Sequence, residues 1–264
     1  MGSREWTSGR ESPGADGRLQ ARIESELPSL LALARRLTRE EHDAEDAVQD
    51  ALESAWKARR QIRDSDAAGG WLRRILARRI VDAHRRRADL PVGAPEEFDS
   101  LIPDVEDPAG VVAAAEDERV LRAALRELTP ADRIAIVLHD AEGWPAAEVG
   151  QLLGVGTEAA HKRVQRARAR LVATLAEPHG LARQTGEACR DARSHVHELL
   201  EETLDPVTAI SVQHHLDSCP SCPASLQAVA GVLAALRREG DTAPIPTPLR
   251  LRIAELIREA EEAP

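Results

Sequence analysis

The chain has 264 residues, a formal net charge of −10, 42% apolar residues and only 2% aromatic residues. This length is typical of two or three compact domains, and cores of Leu, Ile, Val and Ala favour helices over β-sandwiches. No apolar run approaches the roughly 20 residues of a membrane span, and the N-terminus lacks the apolar segment of a signal peptide. With three cysteines, these features predict an all-α protein of the cytoplasm without a membrane partner.

The charge is distributed unevenly along the chain. Residues 59–87 carry ten Arg against three Asp, and residues 158–171 carry five basic residues against one acidic residue. Between them, residues 88–118 carry ten acidic residues and no basic one. Two basic islands joined by an acidic linker indicate a protein that contacts nucleic acid at two places, despite its acidic total.

Apolar residues at helical spacing predict eleven helices. In chain order these are 19–40, 43–60, 71–87, 113–128, 130–141, 145–154, 157–176, 187–203, 206–217, 221–239 and 247–262. Thr129 before Pro130 is a predicted N-cap.

Composition predicts three small helical domains joined by flexible linkers. The predicted segments are a disordered N-terminus (1–18), a first domain (19–88), an acidic flexible linker without a strong helix (89–112), a second domain (113–177), a third domain (186–240) and an amphipathic terminal helix (247–264).

Residues 145–171 have the pattern of a helix-turn-helix. Gly154-Val155-Gly156 predicts the tight turn, and Thr157 is the predicted cap of the second helix. The exposed side of that helix is predicted to carry His161, Lys162, Gln165, Arg166 and Arg170. Such a helix enters the DNA major groove; the alternative is an ordinary helical hairpin with a solvated basic face.

Residues 71–87 predict a helix with aliphatic residues on one side and arginines on the other. A solvated face or a membrane-surface helix would have the same pattern. A second DNA-binding element, linked flexibly to the first, fits the position of this helix better.

The three cysteines fall in one arrangement with a histidine. Cys219 and Cys222 form a CxxC pair, His215 lies four residues before Cys219, and Cys189 lies on a helix that can return antiparallel. This set predicts one closed Cys₃His zinc site with a structural ion. A redox CxxC and buried structural thiols are the alternatives.

Three segments together, 43–56, 71–87 and 125–171, resemble the extracytoplasmic-function (ECF) family of RNA polymerase sigma factors. The resemblance covers about 19–175 and implies a sigma-2 domain and a sigma-4 domain, with core RNA polymerase (the β′ clamp and the β flap) and promoter DNA as partners. It implies polymerase contacts by Asp43, Asp46, Gln49 and Asp50. It implies −10 element contacts by Arg73, Arg74, Arg78, Arg79, Arg85, Arg86 and Arg87. It implies −35 element contacts by Lys162, Arg163, Arg166 and Arg170, which the helix-turn-helix pattern extends to Thr157, His161 and Gln165.

The cysteine–histidine pattern resembles the zinc-binding anti-sigma domain, which is normally a separate protein that keeps an ECF sigma factor inactive. Here it would be fused behind its target, and residues 247–262 could correspond to the family's fourth helix, which grips sigma. This implies regulation in cis through an intramolecular contact; the alternative is a fused domain that has lost inhibition and serves as a scaffold or a positive element. The thiolate ligands add the hypothesis that oxidation joins Cys189 to Cys219 or Cys222 and expels zinc.

Two other classes of function, a stand-alone DNA-binding regulator and a zinc hydrolase, make different predictions. A stand-alone helix-turn-helix regulator with a zinc-stabilised interaction domain would bind duplex DNA tightly without polymerase. A zinc hydrolase needs an open coordination position, which four protein ligands do not leave. The sequence also contains no phosphate-binding loop or nucleophile elbow, so we predict that the chain is not an enzyme.

Overall fold

A computed structural model describes residues 15–58, 68–87, 101–177, 186–238 and 245–262. Within these ranges the chain is helical and contains no strand. The helices are α1 (Ala15–Leu37), α2 (Glu41–Lys57), α3 (Ala68–Arg86), α4 (Pro108–Glu116), α5 (Glu118–Glu127), α6 (Pro130–Ile136), α7 (Ala146–Leu153), α8 (Thr157–Ala176), α9 (Glu187–Ser194), α10 (Val196–Leu200), α11 (Pro206–Ser218), α12 (Cys222–Arg237) and α13 (Thr247–Glu262). The all-α prediction is confirmed for these residues.

Helices α1, α2 and α3 pack pairwise against one another to form the first unit. Each buries a stripe of aliphatic side chains, for example Leu30 of α1, Val48 of α2 and Leu76 of α3. The helix spacing in the sequence predicts these stripes because residues three and four apart share one face. The prediction of a disordered N-terminus over 1–18 is wrong for residues 15–18, because α1 begins at Ala15. Residues 1–14 lie outside the described ranges.

The acidic linker differs from the prediction over its second half. Residues 88–100 lie outside the described ranges, but Ile102, Val105 and Val111 are buried in the core. Asp107 caps α4 by accepting a hydrogen bond from the Gly110 amide at 3.0 Å, and Pro108 occupies the first turn. The prediction of a flexible, helix-free linker is therefore wrong for 101–112, because its few apolar residues anchor it to the protein.

Helices α4 to α8 form the second unit, in which the predicted helix 113–128 is interrupted. Asp117 ends α4 and caps α5, because its carboxylate accepts from the amides of Arg119 and Val120. Thr129 caps α6 as predicted, with its hydroxyl accepting from the Asp132 amide at 3.2 Å. A π-helical segment, Val137–Ala141, follows α6 directly.

Helices α9 to α12 form the third unit. The predicted helix 187–203 is divided into α9 and α10 at His195, and Asp205 caps α11 through the amides of Val207 and Thr208. Among the described helices, none by itself is long and apolar enough to span a membrane. The pair α11 and α12, bent by 109°, would satisfy that criterion only when taken together.

The three units share one large apolar core, and the third unit has a second, smaller cluster around Val212, Leu216 and Cys222. The buried members of the large core run from Ile23 in the first unit to Val229 in the third and Ile253 in α13. Helix α12 packs on α4, and α13 packs on α2. At Gly231 of α12 an added Cβ would lie only 2.3 Å from Cγ2 of Val112, so α12 and α4 approach each other as closely as a glycine allows.

Candidate functional site

The predicted polymerase contacts lie on α2 and differ in exposure. Asp46 and Asp50 are exposed, while Asp43 is half-buried and accepts two hydrogen bonds from Arg87, the residue after α3, at 2.7 and 3.0 Å. The hydrogen bond from Arg87 holds the pKa of Asp43 below its ordinary value. Gln49 donates to Glu53 one turn later, at 3.2 Å. The four side chains thus lie on one helix, where Asp46 and Asp50 are exposed and Asp43 and Gln49 are engaged by neighbouring side chains.

Helix α13 lies against this same helix. Leu249 and Ile253 of α13 are buried, and α13 contacts α2. The Arg252 guanidinium lies 3.7 Å from a carboxylate oxygen of Glu45 and 3.9 Å from one of Asp46. The acidic stretch of α2 is therefore partly covered by an apolar-faced helix from the far end of the chain, which places the positive charge of Arg252 beside it.

Six of the seven predicted −10 residues lie on α3, and Arg87 comes directly after it. Several of them contact other parts of the protein. Arg74 donates to Glu148 of α7 at 2.6 Å and lies 5.8 Å from the centre of the Trp144 ring. Arg85 donates to the carbonyl of Leu152 at 2.8 Å. These contacts place the basic side of α3 against the first helix of the predicted helix-turn-helix.

The other arginines of α3 show different degrees of pairing. Arg73 lies 3.0 Å from Glu26 and 3.1 Å from Glu142, and Arg79 donates to the Ser54 hydroxyl at 2.6 Å. Arg78 and Arg86 are exposed. The predicted −10 surface is thus basic and largely accessible, apart from the side that faces α7.

Helices α7 and α8 form the helix-turn-helix that the sequence predicts. Gly154 ends α7 with a positive φ of 75°, and the Val155 amide donates to the Gly150 carbonyl at 2.9 Å. A Cβ on Gly150 would lie 2.9 Å from the Val155 carbonyl oxygen, so glycine permits the turn to fold back on α7. Gly156, and not Thr157, occupies the cap position of α8, and Thr157 begins the helix as an exposed residue.

The predicted −35 residues of α8 divide into two groups. Lys162 is exposed, with Thr157, while His161, Gln165 and Arg170 are intermediate in exposure. Arg163 and Arg166 are only 8% and 7% exposed, and each lies 3.2 Å from the same carboxylate oxygen of Asp132. The prediction that Arg166 lies on the exposed face is wrong for this arrangement, because both arginines pair with Asp132 of α6 and are buried. Contact of Arg163 and Arg166 with DNA stays a prediction.

A buried ion cluster on α8 was missed by the sequence analysis. Arg168 is 2% exposed and makes two hydrogen bonds to Asp140, at 2.6 and 2.8 Å, and one to Glu201 at 2.7 Å. Burial alone would raise the pKa of Asp140, but hydrogen bonds from Arg168 and His139 outweigh it and lower that pKa. No signal in the sequence separates Arg168 from its exposed neighbours, since its partners lie 28 and 33 residues away.

The four predicted metal ligands come together in the third unit. The ligand atoms of Cys189, His215, Cys219 and Cys222 all lie within 4.8 Å of one another. The Cys189 and Cys219 sulfurs are 3.7 Å apart, and His215 Nε2 is 3.4 Å from the Cys222 sulfur. Tetrahedral zinc with bonds of about 2.3 Å to sulfur and about 2.0 Å to nitrogen requires separations of about 3.8 and 3.5 Å. Both separations match these values, so the four residues fit a zinc ion.

The electrostatics of the thiols also suit a metal. Burial opposes ionisation of Cys219, but hydrogen bonds from the Cys222 and Ser221 amides lower its pKa to about 6. Burial and the neighbouring Cys219 raise the pKa of Cys222 to about 12. A thiolate beside a buried thiol is a site where a cation stabilises the charge that burial disfavours. Three other histidines of the third unit, His195, His197 and His214, are not members of this cluster.

Three family models match the chain. Sigma-70 region 2 matches residues 22–89, which contain α2 and α3. Sigma-70, region 4, matches residues 118–171, which contain the helix-turn-helix. A putative zinc-finger family matches residues 189–222, which begin and end at two of the four clustered ligands.

Curated relatives carry the same assignment. The chain is 33% identical over 187 residues to the ECF RNA polymerase sigma factor SigG of Mycobacterium tuberculosis, covering 62% of this chain and 50% of that protein. It is 36% identical over 143 residues to SigM of the same species, covering 54% of this chain and 69% of that protein. The chain thus spans about half the length of SigG and about two thirds of SigM.

Two solved sigma-factor structures are also similar. One is the sigma factor RpoE in complex with the anti-sigma factor NepR from Bartonella quintana, with TM-score 0.41, 26% identity, and coverage of 59% of this chain and 95% of that chain. The other is the extracytoplasmic function sigma factor SigJ of M. tuberculosis, with TM-score 0.39 and 27% identity, covering 73% of this chain and 62% of that chain.

The assignment depends on the family models and the sequence relatives. Sigma factors are initiation factors and not enzymes, in agreement with the prediction. The order of region 2, region 4 and zinc-finger matches, together with the relationship to SigM, shows that the chain belongs to the ECF family of RNA polymerase sigma factors and carries a C-terminal zinc-finger domain.

Proposed function

We propose that the chain binds core RNA polymerase, directs initiation at specific promoters, and is held inactive by its own C-terminal region. The observation that carries the second part is that the surfaces assigned to polymerase and promoter contact one another and the C-terminal helices.

The polymerase surface is covered by α13. Arg252 places a positive charge within 4 Å of Glu45 and Asp46, and Leu249 and Ile253 are buried beside α2. In the proposed active state the β′ clamp takes the place of α13 on this helix. Because α13 is attached to the same chain, a modest intrinsic affinity suffices, since tethering supplies an effective concentration of about a millimolar.

The promoter surfaces contact each other. Arg74 of α3 pairs with Glu148 of α7, and Arg85 donates to the Leu152 carbonyl. The two elements of a promoter lie well separated along the duplex, so one sigma factor reads both only if α3 and the helix-turn-helix move apart. The resting contact therefore opposes DNA binding by geometry, in addition to masking charge.

The third unit holds the second through both apolar and polar contacts. Helix α12 packs on α4 at Gly231, while Glu201 accepts from Arg168 at 2.7 Å and Glu198 accepts from Gln165 at 3.5 Å. Gln165 is one of the predicted −35 contacts. The C-terminal region thus contacts α8, the recognition helix of the helix-turn-helix, as well as α2.

The zinc site is proposed to contain one structural ion bound by Cys189, His215, Cys219 and Cys222. It would hold α9 against the start of α12, and Cys222→Ser should lose one equivalent of zinc and part of the helical circular-dichroism signal. The matched variant Ser221→Ala removes a neighbouring hydroxyl and should retain the zinc. Full zinc content in Cys222→Ser would contradict this assignment.

We also propose that the site responds to oxidants. The 3.7 Å between the Cys189 and Cys219 sulfurs favours that pair for a disulfide. Two thiolates would give two electrons to hydrogen peroxide, which with two protons leaves as two waters, and zinc would be released. Mass spectrometry after mild peroxide treatment should show the Cys189–Cys219 disulfide; retained zinc without a disulfide would exclude the switch.

The test of the main proposal is the affinity of the full chain for core polymerase. Gly231→Val should force α12 away from Val112 and strengthen polymerase binding by about tenfold or more, in the range of ordinary coupling energies. Gly70→Val is the matched control, because a Cβ on Gly70 meets nothing within 4 Å. Arg252→Glu should also strengthen binding, and Arg250→Glu controls for the charge change on the same helix.

Each outcome decides between the candidate functions. Equal binding by Gly231→Val, Arg252→Glu and the wild type would mean that the C-terminal region is not an inhibitor. If none of the proteins bound core polymerase but the wild type bound duplex promoter DNA tightly, the chain would be a stand-alone helix-turn-helix regulator. Tighter binding by both variants, with unchanged controls, supports inhibition in cis.

A further inference from the structure

A second group of metal-binding side chains lies outside the cysteine cluster. Potential ligand atoms of His139, His161 and Glu201 all lie within 4.8 Å of one another. His139 belongs to the π-helical segment, His161 lies on α8, and Glu201 is the residue after α10. The group therefore joins α8 to the third unit, which we call the zinc-finger unit.

His139 is prepared as a ligand by its neighbour. Its Nδ1 lies 2.8 Å from a carboxylate oxygen of Asp140, and because a carboxylate only accepts, Nδ1 carries the proton. The lone pair is then on Nε2, which is the arrangement by which carboxylates orient metal-bound histidines. Asp140 is itself fixed by its two hydrogen bonds from Arg168.

Glu201 offers one oxygen to a ligand site and uses the other elsewhere. Its Oε1 accepts from Arg168 at 2.7 Å, while its Oε2 lies 4.0 Å from Nδ1 of His161. The rings of His139 and His161 lie edge to face, with their centres 6.1 Å apart. Two imidazoles and one carboxylate oxygen thus lie close to one another.

The dimensions and charges suit a divalent ion of the transition series. Ligands of tetrahedral zinc at about 2.0 Å lie about 3.3 Å apart, so these atoms need to move by about 1 Å. The His161 side chain is 42% exposed and can make that movement. Asp140, Glu201 and Arg168 together carry one net negative charge, which a cation between the two imidazoles would offset.

We propose that His139, His161 and Glu201 bind one divalent transition-metal ion, such as Zn²⁺, at a second site separate from the Cys₃His cluster. The site is complete only while the zinc-finger unit contacts α8, so the inference rests on the proposed closed state. The bound ion links α8 to the zinc-finger unit. It also engages His161, which is one of the predicted −35 contacts. By linkage, metal binding and closure strengthen each other by the same factor.

The two sites differ in chemistry, which makes them separable. The first has three sulfur ligands and no position for water, whereas the second has only nitrogen and oxygen ligands and keeps a position open to solvent. Sulfur ligands bind Co²⁺ with strong near-ultraviolet charge-transfer absorption, which imidazole and carboxylate lack. A second equivalent of Co²⁺ should therefore add weak visible bands without further charge transfer.

The experiment is a titration of the full chain, first with Co²⁺ and then with Zn²⁺, read by absorption and by calorimetry. The wild type should bind two equivalents, and His161→Ala and Glu201→Gln should bind one, with the charge-transfer band unchanged. His42→Ala is the matched control, since His42 lies on α2 with its side chain 73% exposed and should leave two equivalents. Two equivalents in His161→Ala would overturn the site.

A crosslink separates failure of the metal site from failure of the closed state. Benzoylphenylalanine replacing Gln165 should crosslink to the peptide containing Glu198, 3.5 Å from Gln165 in the closed chain. A crosslink with only one metal equivalent in the wild type would overturn the second site and leave the closed state standing. One equivalent without a crosslink would overturn both.

Discussion

Helices α3 and α8 have similar arginine-rich sequences and opposite electrostatic roles. On α3 the arginines lie at the surface or in half-exposed pairs, as with Arg74, whose side chain is 60% exposed. On α8 three arginines, Arg163, Arg166 and Arg168, are buried and hold the helix to α6, to the π-helical segment and to the zinc-finger unit. Arginine content therefore indicates a basic surface on α3 but mainly internal pairing on α8.

The largest loss of stability is expected when Arg168, the central arginine of α8, is replaced. Arg168→Met leaves Asp140 buried without its partner, and we expect a loss of about 3–5 kcal/mol in the free energy of unfolding. Arg74→Met removes an exposed pair on α3 and should cost less than about 1 kcal/mol. Urea unfolding of both variants measures the difference; equal losses would mean that burial does not distinguish the two helices.

The second prediction separates DNA contact from internal pairing within α8 itself. Lys162→Ala should leave thermal unfolding unchanged and, in complex with polymerase, should lower the salt dependence of promoter binding by about one phosphate contact. Arg166→Ala should cost about 1.5–3 kcal/mol of stability, because it removes a charged hydrogen bond to Asp132.

For this second test the readouts are thermal melts and promoter affinities measured over a series of salt concentrations. A change in salt dependence with Arg166→Ala and none with Lys162→Ala would reverse the assignment. It would mean that Arg166 leaves Asp132 when DNA binds.

The smallest expected effect concerns the carboxylates that face the two helices. Asp140 pairs with Arg168 of α8, and its pKa is held below the ordinary 3.8. Glu142 contacts Arg73 of α3, and burial raises its pKa above the ordinary 4.5. Asp140 thus contributes stability that is present above its unfolded pKa and is lost as the pH falls through its folded pKa.

Glu142 has the opposite sign, because its contribution is present below its unfolded pKa and is lost as the pH rises through its folded pKa. Carbon NMR titration of the two carboxyl groups should give midpoints on opposite sides of their ordinary values. A raised midpoint for Asp140 would show that burial outweighs the pairing with Arg168.

Much of the fold follows from local sequence signals. Apolar spacing predicts the helices to within a few residues where they stand alone, as with α8, and Thr129-Pro130 marks the start of α6. The four metal ligands follow from residue types and spacing, because zinc chemistry restricts both. These features depend on neighbours in the sequence, which a single chain displays directly.

The remaining features depend on pairs that are distant in the sequence. Arg163 and Arg166 pair in the folded chain with Asp132, which lies 31 and 34 residues earlier, whereas Lys162 pairs with Glu158 one turn away. The packing of α13 on α2 and the burial of Ile102 and Val105 likewise arise from tertiary contacts. No periodicity or composition in those segments identifies such partners.

Arg36 of α1 connects all three units through one guanidinium group. It donates to the carbonyls of Leu236 and Arg238 at the end of α12, and to Glu118 of α5. A displacement of α1 from the other units would break both sets of bonds at once. Movement of α1 away from α5 and movement of α1 away from α12 are therefore coupled through this one side chain.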